Sequence, residues 1–344
     1  MIVTLLYCDG FDTYATADIL KRWNATSGSS GNSIGNPGSG RRSTGAMYVQ
    51  YNNGWARRSL PAAKTGLVMG GAIYWSSSTS QTPFYSLMDG GSYQCTLLIN
   101  SDGKIYVYRG FSTAVVGTTT VAVSLNAWNF IEWKVLFGAS STCSTIVRIN
   151  GVEVLNLSNV NLMTTANARA DAFLLGSTGS GTGGAGYIDD FYILDTTGTV
   201  NSDFLGDIRV DALLPTAAGT YQQFGVSGTT NHYAAVADLA PDTTTFLYSS
   251  TVGAKETQAM ADLSNVTGSI KGVQVTNMVL KDDAGARSVA NLILSGATES
   301  QGTSTALSTS QLGTSTVLEN DPATGSAWDQ AGINGIEAGV IVTG

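Results

Sequence analysis

The sequence predicts an all-β protein of two β-sandwich, jelly-roll-like domains with little helix. Three observations carry that prediction. Apolar and β-branched residues recur in short alternating runs, as in Trp128–Val135 and Thr145–Ile149. Turn pairs such as Asp102-Gly103 and Asn150-Gly151 separate those runs at short intervals. Charged residues are only 12% of the chain, against ~25% in an average soluble protein, and Ser, Thr, Asn and 41 Gly fill the difference. Such a composition suits strands and tight turns and disfavours long solvated helices.

In order, the apolar run ending at Cys8 reads as a first strand. Asp9 and Asp12 follow it at once, which is not the pattern of an export signal. Phe11–Trp23 reads as a short helix or turn, and 24–40, rich in Ser, Gly and Asn, as loop. Ala46–Tyr51 is a strand, turned by Asn52-Asn53-Gly54; Lys64–Ser76 and Pro83–Met88 follow. Gln94–Asn100 and Lys104–Arg109 form a hairpin about Asp102-Gly103. A second hairpin turns at Asn150-Gly151, where both central residues of a type I′ turn need positive φ. A glycine-rich loop, 176–186, leads into the strand Tyr187–Leu194, and Phe204–Leu214 reads as one more strand.

Pro215–Gly219, a proline followed by small residues, reads as a linker, giving domains 1–214 and 215–344. In the second, Gly272–Lys281 and Arg287–Ser295 read as a hairpin about Asp282–Gly285. Thr314–Asn320 and Ala338–Val342 are further strands.

The chemistry of a hydrolase is sparse. The single histidine, His232, lies in a polar run and reads as a surface residue; three scattered cysteines and one histidine cannot make a zinc cluster. Cys8 and Cys95 read as core residues. Asp189 and Asp190 are adjacent on a strand, so alternation sends their carboxylates to opposite faces, and Glu132 reads as a strand-surface residue. No catalytic residue, metal ligand or cofactor-binding residue is assigned. Calcium is the one ion the acidic residues would suit, through Asp189, Asp102 or carbonyls of the glycine-rich loop. A net charge of −8 argues against nucleic acid as a partner, and no segment reads as membrane-inserting. The aromatic residues carry more promise: Trp55, Tyr74, Trp75 and Tyr187 are candidate contacts to a glycan or a partner subunit.

The segments Trp128-x-x-Ile131-Glu132-x-Lys134-Val135, Val147–Gly151 and Gly186–Ile193 resemble the laminin-G-like, concanavalin A-like sandwich over about residues 2–214. The catalytic branch of that superfamily carries Glu-x-Asp-x-x-Glu on one strand. Here Glu132–Phe137 departs from it, so the resemblance implies no hydrolase. Asn231–Val236, Lys281–Ser288 and Asp321–Gly325 with Trp328 resemble a module of tailed-bacteriophage structural proteins. That resemblance implies a non-enzymatic, homo-oligomeric virion protein, exposed on the particle and contacting other virion proteins and a host-surface glycan. A tail fibre or receptor-binding component is expected first. A capsid decoration or head-fibre protein, then a polysaccharide depolymerase, are the alternatives.

Overall fold

Asn150 and Gly151 turn the chain at φ values of 51° and 80°, the left-handed pair that a type I′ hairpin requires. Gly103 does the same for the Asp102-Gly103 corner at 75°. The computed structural model describes residues 4–27, 32–35, 39–42, 44–50, 54–76, 81–139, 141–179 and 184–344. The turn expected at Asn52-Asn53 and the middle of the glycine-rich loop lie outside the described residues. The chain is all-β and divides into two units, Met1–Val210 and Asp211–Gly344. No helix of the described residues is long and apolar enough to cross a membrane.

In the first unit, β1 (Leu5–Asp9) precedes a short 3-10 and α-helical turn at Thr16–Arg22. Then come β2 (Ala25–Thr26), β3 (Asn32–Gly35), β4 (Ala46–Gln50), β5 (Trp55–Lys64), β6 (Gly66–Trp75) and β7 (Thr82–Asp89). β8 (Ser92–Ile99), β9 (Lys104–Arg109), β10 (Ala114–Ala122), β11 (Trp128–Leu136) and β12 (Cys143–Ile149) follow. β13 (Val152–Val160), β14 (Ala170–Gly176) and β15 (Ala185–Asp195) complete the unit. One sheet runs β13-β12-β11-β6-β15-β4-β3, with β1 also on β15; the facing sheet runs β10-β9-β8-β7-β14-β5-β2. All pairings are antiparallel.

Side-chain alternation fills the space between the sheets. Met69, Ile73 and Trp75 of β6, Ile131, Trp133 and Val135 of β11, and Ile188, Phe191 and Ile193 of β15 all point inward. They meet Phe84, Leu87, Leu97, Val107 and Phe173 of the facing sheet. Two glycines let large rings close on the first sheet. A Cβ on Gly186 would lie 2.2 Å from the Trp75 ring, and one on Gly70 would lie 2.2 Å from Tyr192. Cys95 and Cys143 are buried and free, and burial pushes the Cys8 thiol up to about 12.

The segment after β15 is not the expected strand. Residues 203–210 follow the outer face of the first sheet, and side chains bind their backbone N–H groups. Leu205 N donates to the Tyr192 hydroxyl at 3.1 Å, Gly206 N to Glu132 at 2.8 Å and Val210 N to Asp190 at 2.8 Å. With donors satisfied this way, no neighbouring strand is needed.

In the second unit the residues read as a linker belong to a strand, Pro215–Gln222, that opens the sheet order 215–222, 255–260, 336–342, 288–295, 298–301. Val273–Val279 and Ser288–Ser295 are not hairpin partners. The first pairs with Leu312–Leu318 and the second with Ile336–Val342. The two-stranded ribbon instead packs across the sheet: Asn277 Nδ2 donates to Asn291 at 2.9 Å, and Thr314 donates to the same amide at 2.7 Å. Trp328, Ile333 and Ile336 form a small apolar cluster beside it.

Candidate functional site

The strand order brings β4, β15, β6 and β11 side by side. In register, Tyr48 faces Tyr187, Tyr187 faces Tyr74, and Tyr74 faces Trp128. All four side chains leave the outer face of the sheet, because Met47, Ile188, Ile73 and Trp75 beside the tyrosines occupy the core and Asn129 beside Trp128 is buried. The result is a row of four half-buried rings, one per strand. Ring centroids are 5.3 Å apart for Tyr48–Tyr187, 6.2 Å for Tyr187–Tyr74 and 5.6 Å for Tyr74–Trp128. Interplanar angles of 55–59° let each ring support the next while leaving part of each open. Three inter-strand spacings make the row about 14 Å long, the reach of a short oligosaccharide. Burial, and then the neighbouring Tyr187, hold the Tyr48 hydroxyl above its ordinary titration range, so it stays a neutral donor and acceptor.

Further along the same face lies a polar network that braces the sheet. Glu132 is buried, contrary to its expected surface position, with 1% exposure. Its Oε1 accepts from the Tyr192 hydroxyl at 2.5 Å and from Gly206 N. Asp189 and Asp190 do not point to opposite faces. A bulge between Asp189 and Tyr192, with Asp190 at φ 50°, breaks the alternation. Both carboxylates then hold the Arg41-Arg42 segment, Asp189 through its backbone and Asp190 through its side chains. Asp189 accepts from Arg41 N at 2.8 Å, and Asp190 accepts from the Arg42 guanidinium at 2.5 Å and lies 3.6 Å from that of Arg41. Burial, and then the charge of Asp190, push the Asp189 carboxyl up to about 7. Burial also raises Asp190, against the pull of Val210 N and Arg42. Arg41 is clamped by Asp207 and sits 5.8 Å from the Phe130 ring.

Of the residues singled out from the sequence, Tyr74 and Tyr187 stand at the centre of the row. Trp75 is inside the sandwich with 1% exposure and cannot touch a ligand; strand alternation separates it from Tyr74. Trp55 is half-buried on the facing sheet, against Met88, Tyr93 and Leu174. Tyr48 and Trp128 were missed. Both were legible as strand residues, but only the pairing of distant strands puts them beside Tyr74 and Tyr187. Asp102 caps its own hairpin, accepting from Lys104 N and the Tyr106 hydroxyl, on the sheet opposite Asp189. Among the described residues no group of His, Cys, Asp and Glu is arranged to hold a metal. In the second unit His232 Nδ1 lies 2.8 Å from the buried carboxylate of Glu256, which also accepts from Phe224 N and Gln258. That contact fastens its loop to the sheet.

No protein family model matches the chain, and no curated protein matches it. Solved structures do resemble it. An endo-β-1,4-glucuronan lyase from the fungus Trichoderma reesei is 12% identical, with 50% of this chain and 91% of that one covered at a TM-score of 0.38. Domain 4 of an extracellular arabinanase from Geobacillus stearothermophilus, in complex with arabinotriose, is 21% identical over 48% and 75% at 0.36. An alginate lyase from Aplysia kurodai is 11% identical over 48% and 87% at 0.37. At these levels the likeness extends to the fold alone. These neighbours are carbohydrate-active proteins, and they correct the expectation of a virion component, tail fibre or capsid decoration, which is set aside.

Proposed function

We propose that the chain is a glycan-binding β-sandwich protein that holds a polysaccharide along the row Tyr48–Tyr187–Tyr74–Trp128. The row itself carries this reading: four aromatic side chains in register on four adjacent strands, on the outer face of a sheet. A sugar ring presents an apolar face of C–H groups and a rim of hydroxyls. An aromatic ring matches the first by stacking, and the tyrosine hydroxyls match the second. The proposed action is retention rather than cleavage. Glu132 and Asp190, which acid–base chemistry would need within reach of a substrate, are each 1% exposed and brace the sheet, Glu132 by accepting from Gly206 N and Asp190 by accepting from Val210 N and Arg42.

Affinity electrophoresis of the full chain through gels containing soluble polysaccharides tests the reading. At least one polysaccharide should retard the wild type, and Trp128→Ala and Tyr74→Ala should each weaken retardation about tenfold, roughly 1.4 kcal/mol. Unchanged circular dichroism would show that the variants fold. Equal retardation of wild type and a Tyr74→Ala/Trp128→Ala double variant would refute the site. Release of oligosaccharides from the retained polymer would refute retention without cleavage.

A further inference from the structure

A cleft on the facing sheet, away from the aromatic row, begins with one register shift. Along β14, Ala170, Phe173 and Leu175 fill the core, while Ala172 and Leu174 belong to the small outer cluster. The ladder with β5 shifts between Ala170 and Ala172, so one extra residue enters there and Asp171 shares the outer face with Ala172. On β5, Ala56 and Leu60 point inward, which sends Arg57 and Ser59 outward. Beside them Gly90 and Gly91, both at positive φ, turn β7 into β8, and Gly90 N donates to Asp171 at 2.9 Å. Arg57, Ser59, Leu60, Gly91, Asp171 and Ala172 line a cleft of about 340 Å³.

Arg57 gives this cleft its chemistry. The side chain is half-buried, and its Nε is shielded from water and donates to nothing. The other arginines are engaged. Five hold a carboxylate, Arg58 and Arg109 donate to carbonyl oxygens, Arg148 lies on the Phe204 ring, and Arg209 has a partner too. A shielded guanidinium without an acceptor carries a desolvation cost that a ligand can relieve. Asp171 lines the same cleft without forming an ion pair with Arg57, and its Oδ2 is taken by Gly90 N. A simple anion drawn to Arg57 would be repelled by Asp171, and a simple cation drawn to Asp171 would be repelled by Arg57. A ligand that carries both charges suits both walls.

We infer that the Arg57–Asp171 cleft binds a small zwitterion with the chemistry of an α-amino acid. The ligand carboxylate accepts from the guanidinium fork, and the ligand ammonium donates to the second oxygen of Asp171. The Ser59 hydroxyl, on the same face of β5 as Arg57, supplies a further polar contact. A Cβ on Gly91 would meet nothing within 4 Å, so that wall is low and the ligand's own side chain is left in water. The cleft therefore selects for the paired charges rather than for the side chain. This site does not rest on the glycan-binding reading.

The test is a titration of the full chain, labelled with nitrogen-15, with L-alanine, followed at the Arg57 Nε–H signal and at the Gly90 amide. Acetate, methylammonium and D-galacturonate serve as probes that each lack one of the two charges. L-Alanine should shift both signals saturably with a Kd on the order of 1 mM, and each of the other three should bind about tenfold more weakly or worse. Asp171→Asn, whose amide oxygen can still accept from Gly90 N, and Arg57→Gln, read at the Gly90 amide, should each weaken L-alanine about tenfold with unchanged circular dichroism. Any of the three singly charged probes bound as tightly as L-alanine would overturn the zwitterion assignment. No saturable shift with L-alanine up to about 50 mM, or binding that survives both substitutions, would overturn the site itself. Neither result bears on the aromatic row.

Discussion

Raising the pH from about 5 to about 8 should cost the protein stability, and Asp189 is the group responsible. Its carboxyl binds a proton at about 7 in the fold, because burial and the charge of Asp190 oppose ionisation. In the unfolded chain it reverts to about 3.9. Between those values the folded state holds a proton that the unfolded state has released. Stability is therefore fully present below the unfolded value and is lost as pH rises through the folded one. Each pH unit inside the window is worth about 1.4 kcal/mol, so the full span amounts to at most about 4 kcal/mol. The assay is urea unfolding at a series of pH values, comparing wild type with Asp189→Asn, which is neutral throughout. Wild-type stability should fall steeply between about pH 5 and about pH 7 and level off above, and the variant should lose most of that slope. A wild type whose stability is flat or rising across this window, or a variant with the same slope, would refute the assignment.

Three further outcomes follow from the same geometry. Tyr192→Phe removes a hydroxyl that donates to buried Glu132 and accepts from Leu205 N, and should cost about 2–4 kcal/mol in urea unfolding, with faster proteolysis at residues 203–210. Gly186→Ala sets a methyl 2.2 Å from the Trp75 ring and 2.4 Å from the Tyr74 carbonyl oxygen. It should destabilise by about 1–3 kcal/mol and also weaken glycan binding, because Tyr74 moves. Asp89 and Asp195 are held below the usual carboxylate range, Asp89 by Asn167, Arg169 and Thr165, and Asp195 by Lys64 and Thr197, in each case against burial. Their contribution is present at neutral pH and lost as pH falls below about 4, a second and separate transition in an acid titration.

The parts of the fold that are local were legible in the sequence. The Asn150-Gly151 and Asp102-Gly103 corners declare their hairpins because positive φ is a demand on two adjacent residues. Trp133 and Ile131 declare the core face of β11 by alternation. What depends on distant pairing was not legible. Val273–Val279 and Ser288–Ser295 looked like one hairpin, yet the first pairs with Leu312–Leu318 and the second lies between Ile336–Val342 and Thr298–Gln301, because the buried Asn277–Asn291 contact joins the two across layers rather than along a ladder. The Asp189-Asp190 bulge defeats simple alternation. Residues 204–214 have a strand's apolar content, but their donors go to Tyr192, Glu132 and Asp190. The site follows the same rule. Tyr74 and Tyr187 could be singled out as aromatic strand residues, whereas the row needs β4 beside β15 and β11 beside β6.

Trp128 offers the most direct test of the central claim. The chain has six tryptophans. Trp23, Trp75, Trp133 and Trp328 are buried, which leaves Trp128 in the row and Trp55 on the facing sheet as the half-exposed pair. An indole N–H spectrum of the protein labelled with nitrogen-15, titrated with an oligosaccharide of a polymer that it binds, reports on both rings at once. The Trp128 resonance should move in proportion to saturation while the Trp55 resonance stays in place. Movement of Trp55 with Trp128 unmoved would contradict it.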